Sequence, residues 1–215
     1  MYTIEAENVS KKFGEQTVLN SISFRMETGK IYGLVGDNGS GKSVLLKCLC
    51  GILPCDSGSI KIAGKYIKPG AGNLPKLGIV IEHPGFLDSM SGWHNLKYLA
   101  GIRGIITDEQ IRKSLECVGL SGQEKKKVKK YSLGMRQRLA IAQAIMEDPD
   151  VYIMDEPFNG LDKHAVADMR VLFNSLREKG KTLLLVSHYA TDIENLCDGV
   201  YEISGGMMNK KEETL

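Results

Sequence analysis

The sequence predicts an α/β domain whose core is a largely parallel sheet, with an N-terminal antiparallel β segment and a mostly helical insertion at about residues 86–146. Three observations carry this. Short apolar runs at Ile31–Val35, Val151–Met154 and Thr182–Val186 have the composition of strands buried on both faces. Segments of helical period stand among them, and strand alternating with helix demands crossover connections and parallel pairing. From Trp93 to about Met146 the pattern is helical throughout.

The elements follow in order. Tyr2–Val9 alternates as a strand does, and after the Phe13-Gly14-Glu15-Gln16 turn Val18–Phe24 reads as its neighbour. Ile31–Val35 comes next. A helix is expected from Gly41 through Leu45, Leu46 and Leu49 to Gly51, where Pro54 and Gly58 enforce a turn. Ser59–Ala63 and Leu77–Ile81 read as strands. The helical stretch shows Leu96, Leu99 and Ala100, then Ile111, Leu115 and Val118, then Leu139, Ala142, Ile145 and Met146. Beyond the Val151–Met154 strand, Val166, Met169, Leu172, Phe173 and Leu176 mark a helix. Thr182–Val186, a short helix and Val200–Ile203 complete the alternation, and Asn209–Leu215 reads as a polar tail. The whole chain, residues 1–215, is expected to be one domain without a further regulatory unit.

Composition narrows the function. Hydrophobic residues make up 42% and charged residues 25% of 215, which excludes disordered and fibrous classes. A formal charge of +2 gives no basis for nucleic acid as the main partner. No apolar window approaches the ~20 residues of a membrane-spanning helix. Met1–Glu5 lacks the basic and apolar regions of a secretory signal, so a cytosolic setting is expected. The five cysteines are odd in number and form no CxxC pair; free thiols in a reducing compartment are the reading, and Cys48, Cys50 and Cys55 lack the further ligand a metal site needs. The run Lys125-Lys126-Lys127-Val128-Lys129-Lys130 reads as a solvated face, since no aromatic is interleaved.

The strongest motif is Gly36-Asp37-Asn38-Gly39-Ser40-Gly41-Lys42-Ser43, directly after the Ile31–Val35 strand and before a helix. It matches the P-loop pattern GxxxxGK[ST] in its required context of strand, loop and helix. A polyphosphate needs backbone N–H groups brought close and aimed inward, which the glycines allow. The helix adds the positive end of its dipole. Lys42 supplies a point charge for the β- and γ-phosphates, and Ser43 offers a hydroxyl to Mg²⁺. With Val44 these residues form the candidate ATP site. The fold class is thereby that of a P-loop NTPase.

Val151-Tyr152-Ile153-Met154-Asp155-Glu156 is an apolar strand ending in two carboxylates. Asp155 fits the second Mg²⁺ anchor of such an enzyme. Glu156 stands where it would polarise a water for attack on the γ-phosphate.

Tyr131-Ser132-Leu133-Gly134-Met135-Arg136-Gln137-Arg138-Leu139, upstream of those acids, has Ser132 as a fitting helix cap and Leu139, Ala142 and Ile145 on one face. It resembles the signature motif of ATP-binding cassette (ABC) transporter nucleotide-binding subunits, and the likeness covers essentially the whole chain. The resemblance implies that Ser132, Leu133, Gly134 and Met135 reach the γ-phosphate of an ATP held by a second copy of the chain. It also implies that Asn159-Gly160-Leu161-Asp162 is the D-loop, with Asp162 at the dimer interface. His188, in Ser187-His188, is then the switch histidine beside the γ-phosphate, and Phe13 the aromatic that stacks on adenine.

Two departures are plain. Glu82 stands where the family usually has Gln, and the signature reads Ser-Leu-Gly-Met rather than Ser-Gly-Gly-Gln. Together these resemble bacterial exporters of peptide antibiotics and lantibiotics. Glu82 is accordingly a third candidate Mg²⁺ ligand and a link to the membrane partner. The resemblance implies an ATPase with ATP and Mg²⁺, two chains sandwiching two ATP molecules, and a separate membrane permease that holds the chain at the cytoplasmic face. Two other classes compete. A soluble ABC ATPase such as an iron–sulfur assembly factor would bring down no permease, and a P-loop kinase would need an acceptor and has no use for the Tyr131–Leu139 segment.

Overall fold

The computed structural model describes residues 1–68, 74–82, 85–187 and 190–211. A long hairpin opens the chain: β1 (Tyr2–Phe13) pairs antiparallel with β2 (Gln16–Glu27) through the expected turn. Strands β4 (Ser57–Ile62) and β5 (Lys65–Tyr66) extend it into an antiparallel sheet of order β2-β1-β4-β5. Its first strand runs four residues past the expected Val9. The register shifts between Ala6 and Val9, where Asn8 has φ 51°, and a bulge of this kind breaks the alternation on which the reading rested. Beyond it Lys11 is buried and held at 2.8 Å by Asp56, so two lysines sit in a strand.

The second sheet contains β3 (Ile31–Val35), β6 (Leu77–Val80), β7 (Val151–Asp155), β8 (Thr182–Val186), β9 (Gly199–Ser204) and β10 (Met207–Lys211), in the order β10-β9-β3-β8-β7-β6. Every neighbouring pair is parallel except β9 with β10. The sheet is therefore mixed. Its antiparallel edge falls in what reads as a polar tail; Met207–Lys211 is three-fifths Lys and Asn, which suits an edge strand and hides it from a hydrophobicity pattern.

Helices connect the strands. α1 (Lys42–Leu49) leaves β3, while α2 (Gly92–Arg103), α3 (Asp108–Cys117) and α4 (Leu133–Ile145) lie between β6 and β7 as the expected helical insertion. α5 (Lys163–Glu178) and the short α6 (Ala190–Leu196) follow. Two apolar cores result, one on each face of the parallel sheet. In β7, Tyr152 and Met154 belong to the core shared with α2–α5, while Val151 and Ile153 belong to the core shared with α1 and the antiparallel sheet. Alternation of side chains along one fully buried strand thus fastens both halves together. The C-terminal ends of β3, β6 and β7 are held to a common edge by this double anchoring.

Phe173 of α5 is fully buried, its ring 5.5 Å from that of Phe158. Phe173→Ala is expected to cost ~3–5 kcal/mol, read as a lower denaturant midpoint at unchanged slope. A loss under ~1 kcal/mol would mean that α5 is not packed in this way.

Candidate functional site

β3 ends at Val35, and the loop from Gly36 to Gly41 turns the chain into α1. At Gly36 φ is 144°, and a Cβ there would lie 2.2 Å from the Ile203 carbonyl oxygen on β9, so only glycine fits. The start of α1 is distinctive. Ser91, Thr107, Ser132 and Asp162 cap α2, α3, α4 and α5 by accepting a backbone N–H, whereas Gly41 offers α1 no side-chain cap and no acid stands in its first turn. Its first amides remain for an external acceptor. Lys42 Nζ donates to the carbonyls of Gly36 at 2.6 Å and Asp37 at 2.8 Å, which sets the ammonium inside the loop. Ser40 Oγ is buried without a hydrogen-bond partner among the described residues. Asp37, Asn38 and Gly39 are exposed, and Val44 packs against the core beneath. Amides, an ammonium and an orphaned hydroxyl are the donor set a polyphosphate requires.

Asp155 ends β7 beside this loop. Ser43 Oγ donates to its Oδ2 at 3.3 Å, so the structure brings together the two residues expected to hold Mg²⁺. Burial pushes the Asp155 carboxyl above its ordinary pKa, and the Ser43 hydrogen bond and Lys42 charge offset this only in part. A half-buried carboxylate beside a hydroxyl fits a hard divalent cation. Glu156 follows with φ 48°, a left-handed backbone uncommon outside glycine. It is fixed from three sides: its N–H donates to Val186 O at 2.9 Å, and its carbonyl accepts from Asn159 N at 3.1 Å and Gln137 Nε2 at 3.2 Å. Glu82 also has a left-handed backbone, φ 57°, and accepts from Lys47 Nζ at 2.5 Å rather than from anything in the loop.

Ser132 caps α4 as expected, accepting from Met135 N at 3.2 Å. Gly134 lies so close to the Asn159–Asp162 turn that an added Cβ would come within 2.7 Å of Gly160 O. Leu133, half-exposed, covers Gly160 from the other side. The Ser132–Met135 and Asn159–Asp162 segments are therefore one packed unit. Asp162 is spent on capping α5, accepting from Ala165 N at 2.9 Å, and that hydrogen bond first of all holds its carboxyl below the usual range. Ser132, Gly134, Met135, Lys126 and Asp162 are among the residues lining a cavity of about 440 Å³, whose walls include none of residues 36–44. Phe13 stands half-exposed at the hairpin end, with Lys11 Nζ 5.6 Å from its ring centre, so it is not a core residue. His188 lies outside the described residues. The preceding Ser187 donates to Asp192 Oδ2 at 3.0 Å, and Arg170 holds the other oxygen of that carboxylate at 2.6 Å.

Sequence reasoning gave no role to Gln137, Lys47, Asp192 or Arg170. Gln137 carried a signal, an amide on the buried side of α4. Lys47 carried none, because its partner Glu82 is 35 positions away. Among the cysteines, burial pushes the Cys50 and Cys197 thiols up to about 12, while a hydrogen bond from Cys48 lowers Cys55.

A profile of the ABC transporter family matches residues 19–159. The chain is 41% identical over 199 residues to the bacitracin transport ATP-binding protein BcrA of Enterococcus faecalis, covering 92% of this chain and 65% of that one. It is 34% identical over 210 residues to the lantibiotic transport ATP-binding protein SrtF of Streptococcus pyogenes, covering 98% and 90%. In structure it superimposes on the ATP binding subunit of an ABC transporter with a TM-score of 0.88 and 26% identity, covering 97% and 89%.

The raised pKa of Asp155 has a stability consequence. The folded chain binds that proton more tightly than the unfolded chain, so stability falls as pH rises through the carboxylate range and the penalty is complete above it. Without nucleotide, Asp155→Asn is expected to raise the melting temperature by about 2 °C at neutral pH, with a smaller gain in acid. The same variant is expected to lose Mg²⁺-dependent nucleotide affinity by about tenfold or more. A lower melting temperature at neutral pH would contradict burial as the dominant influence.

Proposed function

Since the chain belongs to the ABC transporter family, we propose that it is an ATP-binding and ATP-hydrolysing subunit that powers a separate membrane permease. The observation that carries this is the uncapped α1 N-terminus, set in a glycine cradle beside the Ser43–Asp155 pair. Residues 36–44 bind the phosphates of ATP, and Phe13 stacks on the base. Ser43 and Asp155 hold Mg²⁺, which when bound neutralises charge on the phosphates. Glu82 is the further acid at this edge. Glu156, with its backbone clamped by Val186, Asn159 and Gln137, orients the attacking water, and His188 completes the group at the γ-phosphate. Phosphoryl transfer leaves the protein little covalent work, so placing Lys42 and these groups supplies most of the rate.

The cavity that Ser132, Gly134 and Met135 help to line has none of residues 36–44 in its walls, which supports a segment that serves the nucleotide of another chain. In this reading a second copy, related head to tail, supplies Ser132, Leu133, Gly134 and Met135 to each ATP, with Asp162 at the interface. ATP joins the two chains, and hydrolysis releases them, a shift of populations driven by differential affinity. The whole of residues 1–215 acts as one ATPase domain, with about 86–146 as its inserted helical subdomain. Among the described residues no helix is long and apolar enough to cross a membrane, and a permease partner places the chain at the cytoplasmic face. The names of BcrA and SrtF support export of a peptide antibiotic or a similar amphipathic compound.

Purified alone, the chain is expected to hydrolyse ATP slowly. Glu156→Gln is expected to abolish turnover and to accumulate an ATP-dependent dimer, seen by light scattering during size-exclusion chromatography. A monomer at saturating ATP in that variant would count against the two-chain site.

A further inference from the structure

Ser43 and Lys47 are four residues apart on α1 and so share one face of that helix. From that face they reach two adjacent strand ends. Ser43 Oγ meets Asp155 at the end of β7 at 3.3 Å, and Lys47 Nζ meets Glu82, two residues beyond β6, at 2.5 Å. The second contact is the shorter, and it is a charged pair. Lys47 is the more buried member, its side chain 29% exposed against 60% for Glu82. Glu82 holds it with a left-handed backbone, a conformation unfavourable for a non-glycine residue that persists where surrounding structure imposes it. Without Lys47, this edge of the sheet would present the carboxylates of Glu82 and Asp155 together toward a ligand that is itself a polyanion.

We propose that Lys47 is the resident counter-ion of Glu82, a positioning residue that cancels the carboxylate's charge beside the phosphates and so makes an acid compatible with that place. This rests on the nucleotide reading given above. The functional unit at residue 82 is then the neutral pair, and α1 carries the signal of phosphate binding to the start of the helical segment through the Lys47–Glu82 contact as well as through Ser43.

The test is the affinity of a nonhydrolysable ATP analogue, measured by calorimetry with Mg²⁺ and again with EDTA, for wild type, Lys47→Met, Glu82→Gln and the double variant. Melting temperatures verify folding, and the exchanged pair Lys47→Glu/Glu82→Lys stands in if a single variant fails to fold. Lys47→Met is expected to weaken binding by about tenfold, since one carboxylate then faces the phosphates unanswered. Glu82→Gln is expected to tighten it by a few-fold, and the double or exchanged variant to return to within about twofold of wild type. The pattern is expected in both buffers. A double variant as weak as Lys47→Met would overturn the proposal, since Lys47 would then serve the nucleotide directly. So would an unchanged Lys47→Met. Weakening of Glu82→Gln in Mg²⁺ alone would overturn it too and make Glu82 a metal ligand. Failure of wild type to bind the analogue would remove the nucleotide reading itself, and the proposal with it, an outcome the other three do not produce.

Discussion

One helix start governs this molecule. α1 begins with glycine where α2, α3, α4 and α5 begin with a serine, threonine or aspartate that caps them. The first turn of α1 thus lacks a side-chain cap among the described residues, at a place where Lys42 already concentrates positive charge and where Ser40 Oγ is buried without a hydrogen-bond partner among those residues. An unmet demand for hydrogen-bond acceptors next to a half-buried carboxylate is unfavourable in the isolated chain. Polyphosphate oxygens would supply such acceptors. Stability is given up locally so that the ligand, when it arrives, finds groups that need no reorganisation.

The rest of the fold holds that demand in place. β3, β7 and β8 are buried on both faces, and their alternate side chains enter two separate cores. Their C-terminal ends therefore cannot slide relative to one another, and Gly36, Asp155 and Glu156 inherit that precision. Backbone strain is spent at the same edge: Glu82 and Glu156 both have positive φ. On the other side, Gln137 ties the signature helix to the Glu156 carbonyl, and Gly134 packs on the Gly160 turn. Gln137 thereby links the helical segment to the backbone of Glu156.

Much of this was legible in the sequence, for physical reasons. Ile31–Val35 and Thr182–Val186 matched the structure to the residue, because a strand buried on both faces leaves an uninterrupted apolar run. The loop from Gly36 to Ser43 was legible because phosphate chemistry restricts residue types over consecutive positions. Met207–Lys211 was not, since an edge strand has a solvated face and no hydrophobic obligation. Nor were Lys47 with Glu82, or Arg170 with Asp192, whose meaning lies in contacts across tens of residues. The resemblance alone implied Asp162 at a dimer interface, and the structure adds that its carboxylate accepts from Ala165 N in capping α5.

The amides of the loop and first turn of α1, within residues 36–44, seek an acceptor from outside the chain. Backbone amide shifts recorded by NMR while a magnesium-bound, nonhydrolysable ATP analogue is added probe this. The largest downfield changes are expected at Gly39 through Val44, with Asp155 responding and Ser132–Met135 silent while the chain is monomeric. Changes concentrated elsewhere, or none in the 36–44 segment at saturating analogue, would contradict it.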